Sequence, residues 1–310
     1  MHGNKSSNFL YFADVKNIRS VLILVAIIGG ILIPQLYFLY VLQPFLIGSM
    51  MLLTFVSRVP PQQHGLTFRI ELKAFVASFV LFALLYGVVE LFHLPREVLL
   101  GGAIVILCPP ANAVPAMAKM LGGNPVLALK IFLVGHLVAC FTIPSVYGVL
   151  THSDASVLDI ALKVFNSMQP IISIPLAIAF GVRSFYPEVA DRIEKFQKFT
   201  VFIWSFSVFC ILSKASYDIR KMGFMGLVES GMFQSLAITA AVLCVVQFAL
   251  GWFCERKGHP IEGAQSMGQK NTNLVIWISQ LYAGPLAALV PTFYVVCQNL
   301  VLSWMSRSKK

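Results

Sequence analysis

Residues 266–273 read Ser266-Met267-Gly268-Gln269-Lys270-Asn271-Thr272-Asn273, and apolar Leu274-Val275-Ile276-Trp277 follows them. The run places a lysine, two asparagines, a glutamine and a glycine in the middle of a segment long enough to span a membrane. A charge near the bilayer midpoint costs several kcal/mol, and backbone unwinds there only where it lines a cavity or is buried in protein. These eight residues therefore mark an interrupted helix with a functional role.

The surrounding composition places that run in a membrane. The chain is 58% hydrophobic and 12% charged over 310 residues, which excludes a soluble domain and gives an all-α integral membrane protein. Ten apolar segments are expected, at 19–33, 36–56, 70–92, 97–121, 125–150, 158–182, 197–213, 232–253, 261–282 and 286–304. No small-residue cleavage site follows the first of them, so it is read as retained. Of the 23 basic residues, sixteen fall in loops on one side and four (Arg96, Lys214, Arg220 and Lys221) on the other. Lys130, Lys163 and Lys270 remain inside segments. This bias predicts a multi-pass plasma membrane protein (bacterial inner membrane) with cytoplasmic N- and C-termini. It also accounts for the net charge of +10 without nucleic acid, since no solvated basic domain exists to hold any. The six cysteines have no paired spacing and read as small buried hydrophobes.

Segment four is the second interrupted one. Its first half ends in Cys108-Pro109-Pro110-Ala111-Asn112-Ala113-Val114-Pro115, where three prolines in seven positions prevent an unbroken helix. A short half resumes to Leu121, and Gly122-Gly123-Asn124-Pro125 turns the chain. Asn112 and Asn271 stand 159 residues apart, about half the chain. Breaks in the fourth and ninth of ten segments are the pattern of two inverted five-helix repeats, whose broken helices cross to form the binding site.

Cys108-Pro109, then Gly123-Asn124, then Thr142-Ile143-Pro144 resemble the fourth and fifth helices of the bile acid:sodium symporter family. Gly268 and Asn271 in the ninth segment, and Cys297-Gln298-Asn299 in the tenth, are similar to that family's signatures in the corresponding helices. The resemblance runs from about residue 18 to 304. It implies a ten-helix transporter unit over 19–304, between a cytoplasmic segment 1–18 and a cytoplasmic tail 305–310. A panel (19–56 and 158–213) would face a core (70–150 and 232–304), with an organic anion, bile-acid-like or a small carboxylate, bound where helices four and nine cross. Asn112 and Asn271 match the family's substrate-contacting positions, with Asn299 a weaker third.

The sodium positions that the resemblance implies are occupied here by Ala77, Val114, Pro115, Ala128, Phe132, Ser266 and Lys270. Sodium needs several hard oxygen ligands, so no metal is expected. The Lys270 ammonium would stand where a bound cation otherwise sits, donating to carbonyls of unwound backbone. Half-helix N-termini at Asn112–Pro115 and Asn271–Asn273 would offer N–H groups and partial positive charge to an anion, adding Ala113 and Thr272 to the expected substrate contacts. Protons are an open choice of coupling ion, with Lys270, His136 and Lys130 as candidates. The plainer readings are snorkelling for Lys130, a structurally bonded histidine for His136 and an i,i+4 pair with Asp159 for Lys163.

The expected function is alternating-access, sodium-independent transport of an organic anion, with membrane lipid as the other partner and no cofactor. Two alternatives stay open: sodium symport through ligands such as Ser78, Ser266 or Gln269, and a non-transporting receptor of the same fold. No zinc-ligand spacing or nucleophile elbow supports an enzyme.

Overall fold

A computed structural model describes residues 21–56, 68–151 and 156–307. The expected cytoplasmic segment 1–18, the loop carrying Arg58 and the last residues of the tail lie outside these. Among the described residues the chain is helical, without strands. In order the helices are α1 (Val21–Leu32), a 3-10 stretch (Pro34–Leu42) leading into α2 (Gln43–Phe55), α3 (Arg69–Leu91), α4 (Arg96–Leu107), α5 (Val114–Met120), α6 (Pro125–Thr151) and α7 (Val157–Phe185). They continue as α8 (Pro187–Glu194), α9 (Thr200–Met222), α10 (Phe224–Glu229), α11 (Met232–Cys254), α12 (Pro260–Gly268), α13 (Thr272–Tyr282) and α14 (Gly284–Arg307).

Seven helical runs among the described residues are long and apolar enough to cross a bilayer, so the chain is a multi-pass membrane protein. The remaining expected segments are the shorter α1 and the two interrupted ones, α4/α5 and α12/α13. Large apolar side chains such as Leu32, Phe45, Phe141, Phe180 and Phe253 lie outward, as expected of helices solvated by lipid rather than water.

One boundary departs from expectation. The seventh segment, expected to end at 213, runs on to Met222, so Lys214, Arg220 and Lys221 are helical. Lys214 pairs with Asp218 one turn away and Tyr217 stacks on Tyr37 at 3.9 Å, which holds the polar turns in register. Gly223, at φ 88°, then ends the helix in a left-handed conformation that suits glycine.

Around the breaks, α11 packs on α12 and α14, and α4 on α3, α11 and α14. Two glycines allow the close approaches: a Cβ on Gly135 would lie 2.5 Å from the Pro110 ring, and one on Gly268 would lie 2.2 Å from the Phe248 ring. The Gly122–Asn124 turn is fixed by Gly122 at φ 75° and by Asn124, whose Oδ1 caps α6 through Val126 and Leu127 N–H at 3.0 and 3.1 Å.

Candidate functional site

The two breaks meet as short antiparallel backbone. Ala111 N donates to Gln269 O and Asn271 N to Pro109 O, both at 2.8 Å, pairing Pro110 with Lys270. Each unwound stretch thus supplies backbone partners that the other's helix no longer provides, a strict requirement in a membrane interior.

Lys270 completes that accounting. Continued as a helix, α4 would bond Ile106 O to the N–H of residue 110, which is proline and has none. The Lys270 Nζ donates instead to Ile106 O and to Cys108 O, each at 3.0 Å. An ammonium also complements the negative end of α4. The residue is 3% exposed. The ammonium therefore reaches carbonyls of unwound backbone as expected, but on the facing break rather than on its own.

α14 holds the second break from the other side. Gln298 Oε1 accepts from Lys270 N at 3.0 Å, and Gln298 Nε2 lies 3.5 Å from Thr272 Oγ1. Tyr294 OH donates to Gly268 O at 2.8 Å and accepts from Gln247 Nε2 at 3.3 Å. The sequence assigns a role to neither: Gln298 figures only within the tenth-segment motif, and Tyr294 not at all. Gln298 adjoins the flagged Asn299, but neighbours on a helix point about 100° apart. Asn299 instead donates to its own helix, at Val295 O, 2.7 Å away.

Asn271 organises the polar wall. It is the N-cap of α13 and accepts from Leu274 N, which fixes its amide so that Nδ2 faces Asn112 Oδ1 at 3.4 Å and His136 Nε2 at 3.1 Å. His136 Nε2 is then an acceptor, and its proton sits on Nδ1, 2.8 Å from Phe132 O. His136 is 1% exposed and contributes through Asn271 rather than by lining the cavity described next.

A cavity of about 560 Å3 opens on these residues. Of the expected substrate contacts, Asn112, Ala113, Lys270, Asn271, Thr272 and Asn299 all line it, opposite Thr54 of α2 and Trp204 of α9, and it extends to Lys119 and Glu194. Beyond the breaks α13 is tied to neighbouring helices. Asn273 Nδ2 donates to Ser207 Oγ at 2.8 Å, and that hydroxyl donates to Gln43 Oε1 at 2.7 Å. Tyr282 OH donates to Lys163 O at 2.9 Å and meets Ser167.

Two expectations are corrected. Lys130 does not snorkel: its Nζ lies 3.1 Å from Glu71 Oε1 and 4.7 Å from the centre of the Phe68 ring. Glu71 stands in the first turn of α3 with a side chain only 8% exposed. The Asp159–Lys163 pair is not formed; the Lys163 carbonyl serves Tyr282 instead.

The positions that would correspond to sodium ligands present no matching donor set. Val114 and Ala128 are fully buried in an apolar cluster with Ala118, and Phe132 packs against Phe55 and His136. Pro115 lines the large cavity, while Ser266 Oγ is engaged with Gly263 O at 2.9 Å. Among the described residues no group of three or more His, Cys, Asp or Glu could hold a metal ion.

The fold and these breaks define a class: a multi-pass helical membrane protein whose interrupted segments line a polar cavity. Residues 72–221 match the model described as Sodium Bile acid symporter family. The family resemblance is thereby borne out over just under half of the chain; the ninth- and tenth-segment motifs lie beyond the match. No curated protein matches the chain closely enough to count as a relative.

Proposed function

We propose that the chain is a secondary transporter of an organic anion, bile-acid-like or a small carboxylate. It would work by alternating access without sodium, using the Lys270 ammonium as a fixed substitute for the bound cation. The observation that carries this reading is the pair of 3.0 Å bonds from Lys270 Nζ to Ile106 O and Cys108 O, which put a permanent donor where unwound backbone otherwise invites a metal ion. The apolar cluster of Val114, Ala118 and Ala128 supports it, since such side chains offer a cation nothing. The large cavity suits an anion: the α13 N-terminus and the Asn112 amide supply donors around an apolar-walled space.

In this reading the chain has ten spans in two inverted five-helix repeats, α4/α5 corresponding to α12/α13. α1, α2, α7 and α9 form the panel, with α3–α6 and α11–α14 as the core. The cavity, ending at Lys119 and Glu194, is open to the cytoplasm. The Asn273–Ser207–Gln43 and Tyr282–Ser167 contacts close the opposite side, and the cycle breaks them.

Uptake of taurocholate and a panel of small carboxylates into reconstituted vesicles tests the proposal. Transport independent of sodium and abolished by Lys270→Gln is the expected result. Strict dependence on a sodium gradient would replace it with sodium symport, and no uptake of any probe would favour a receptor.

A further inference from the structure

The wall of the large cavity holds a buried amide whose oxygen no bond accounts for. Gln269 is 2% exposed and lines this cavity, not the smaller one of about 80 Å3 on the other side of the breaks. Its backbone is fixed on both sides, with N donating to Gln265 O and O accepting from Ala111 N. The side-chain Oε1 is nevertheless buried without a hydrogen bond. A sealed carbonyl oxygen destabilises the fold until something donates to it, so its persistence in a cavity wall points to a ligand.

The donors around it are committed elsewhere. Asn271 Nδ2 faces Asn112 Oδ1 and His136 Nε2, Gln298 Nε2 faces Thr272 Oγ1, and Asn299 Nδ2 is bonded to Val295 O. The Lys270 ammonium is turned to Ile106 O and Cys108 O, and those two residues line the small cavity rather than the large one. Asn273 repeats the pattern: its Nδ2 is spent on Ser207 Oγ, and its Oδ1 is a second buried acceptor without a donor. A ligand that answers these oxygens must therefore bring donors. An ammonium fits poorly. Among the described residues lining the cavity Glu194 is the one carboxylate, and it is paired with Arg183 at 3.0 Å, while Lys270 already places a positive charge in the wall. A hydroxyl or an amide N–H supplies the donor without the charge. Rotation of the Gln269 amide about its last torsion, which is broad for glutamine, presents the oxygen to the cavity without disturbing the backbone that pairs the two breaks.

We propose that Gln269 Oε1, with Asn273 Oδ1 as a second acceptor, is a specificity subsite for an uncharged hydrogen-bond donor on the substrate. The substrate is then a carboxylate that also bears a hydroxyl or an amide N–H, not a plain one. The α13 N-terminus and the Asn112 amide take the carboxylate, and Gln269 takes the donor. Such a site rejects the analogue that lacks the donor, because the oxygen is then shut in without a partner. The carboxylate half of this assignment rests on the transporter reading above; the acceptor subsite does not.

Calorimetric binding to the purified protein in choline chloride tests this with probes that share one skeleton. Phenylpropionate has no donor beside its carboxylate, phenyllactate adds a hydroxyl, phenylalanine adds an ammonium, and phenyllactamide keeps the hydroxyl without the charge. Phenyllactate is expected to bind about ten-fold or more tightly than phenylpropionate or phenylalanine, and Gln269→Met should cut its advantage over phenylpropionate to within about two-fold. A smaller advantage in the parent, one that persists beyond that limit in Gln269→Met, one that needs sodium chloride, or no binding of any probe overturns the subsite. Binding of phenyllactamide but of neither acid, lost in Gln269→Met, sinks the anion reading and leaves the subsite standing. Thermal unfolding without any probe reads the same group: Gln269→Met should unfold at or above the parent's Tm, since methionine has no amide oxygen to leave unpaired. A lower Tm shows that water or the fold already satisfies the amide, and overturns the proposal.

Discussion

The two breaks reach the same unwound state by opposite means. The first is covalent: Pro109 and Pro110 have no N–H to give, so α4 ends whatever surrounds it. The second has every N–H it needs for a helix and is held open by partners. Gln269 N bonds Gln265 O, Lys270 N bonds Gln298, and Asn271 N bonds Pro109 O. Tyr294 takes up Gly268 O. A break made by proline is insensitive to its neighbours, whereas one made by side chains fails when they are removed. One acceptor stranded by the proline break, Ile106 O, is filled by the second break's lysine, so the pair works as a unit.

The comparison can be broken most severely at Lys270. Lys270→Met leaves the buried carbonyls Ile106 O and Cys108 O without their donor. At about 1–3 kcal/mol per unsatisfied buried group, a loss of about 2–6 kcal/mol is expected, read as a large fall in thermal stability in detergent together with loss of transport. A variant as stable as the parent would show that the carbonyls find other partners.

Gln298→Leu removes the acceptor of Lys270 N and a contact with Thr272. It is expected to cost about 1–3 kcal/mol in the same unfolding assay, with transport impaired but not abolished. Tyr294→Phe removes the single donor to Gly268 O, at the lower end of that range, about 1 kcal/mol. No effect from either would mean that the second break is set by its own backbone rather than by α14.

Pro110→Ala probes the other break with a smaller and opposite effect. It returns an N–H to residue 110, where it competes with Lys270 for Ile106 O. Stability should stay within about 1 kcal/mol of the parent, while transport falls because α4 gains a turn and the ammonium is displaced. Retained transport would show that the proline serves only to bend the chain.

Both breaks were legible in sequence, because proline and a polar run in an apolar segment act locally. The substrate-side residues followed from them, and all six line the large cavity. The direction of the Lys270 side chain was not legible. It depends on how the backbone leaves the helix at Gln269, where φ is −92° and ψ 90°, and no periodicity rule covers unwound chain. Glu71–Lys130 was missed because it joins α3 to α6 across the fold, and helix ends read as interfacial until packing shows otherwise. The Gln43–Ser207–Asn273 ties gave no signal for the same reason, since they join α2, α9 and α13 across the fold. The length of α9 was underestimated because Lys214 and Asp218 lower the local hydropathy while pairing with each other.

Whether a lysine has taken the place of a metal ion can be read without knowing the substrate. Thermal unfolding of the purified protein in sodium chloride and in choline chloride at equal ionic strength should give the same Tm across the concentration series if, as proposed, the folded state binds no sodium. A Tm that rises and saturates with sodium, corresponding to about 2.7 kcal/mol at a hundred-fold excess over the dissociation constant, would contradict the account.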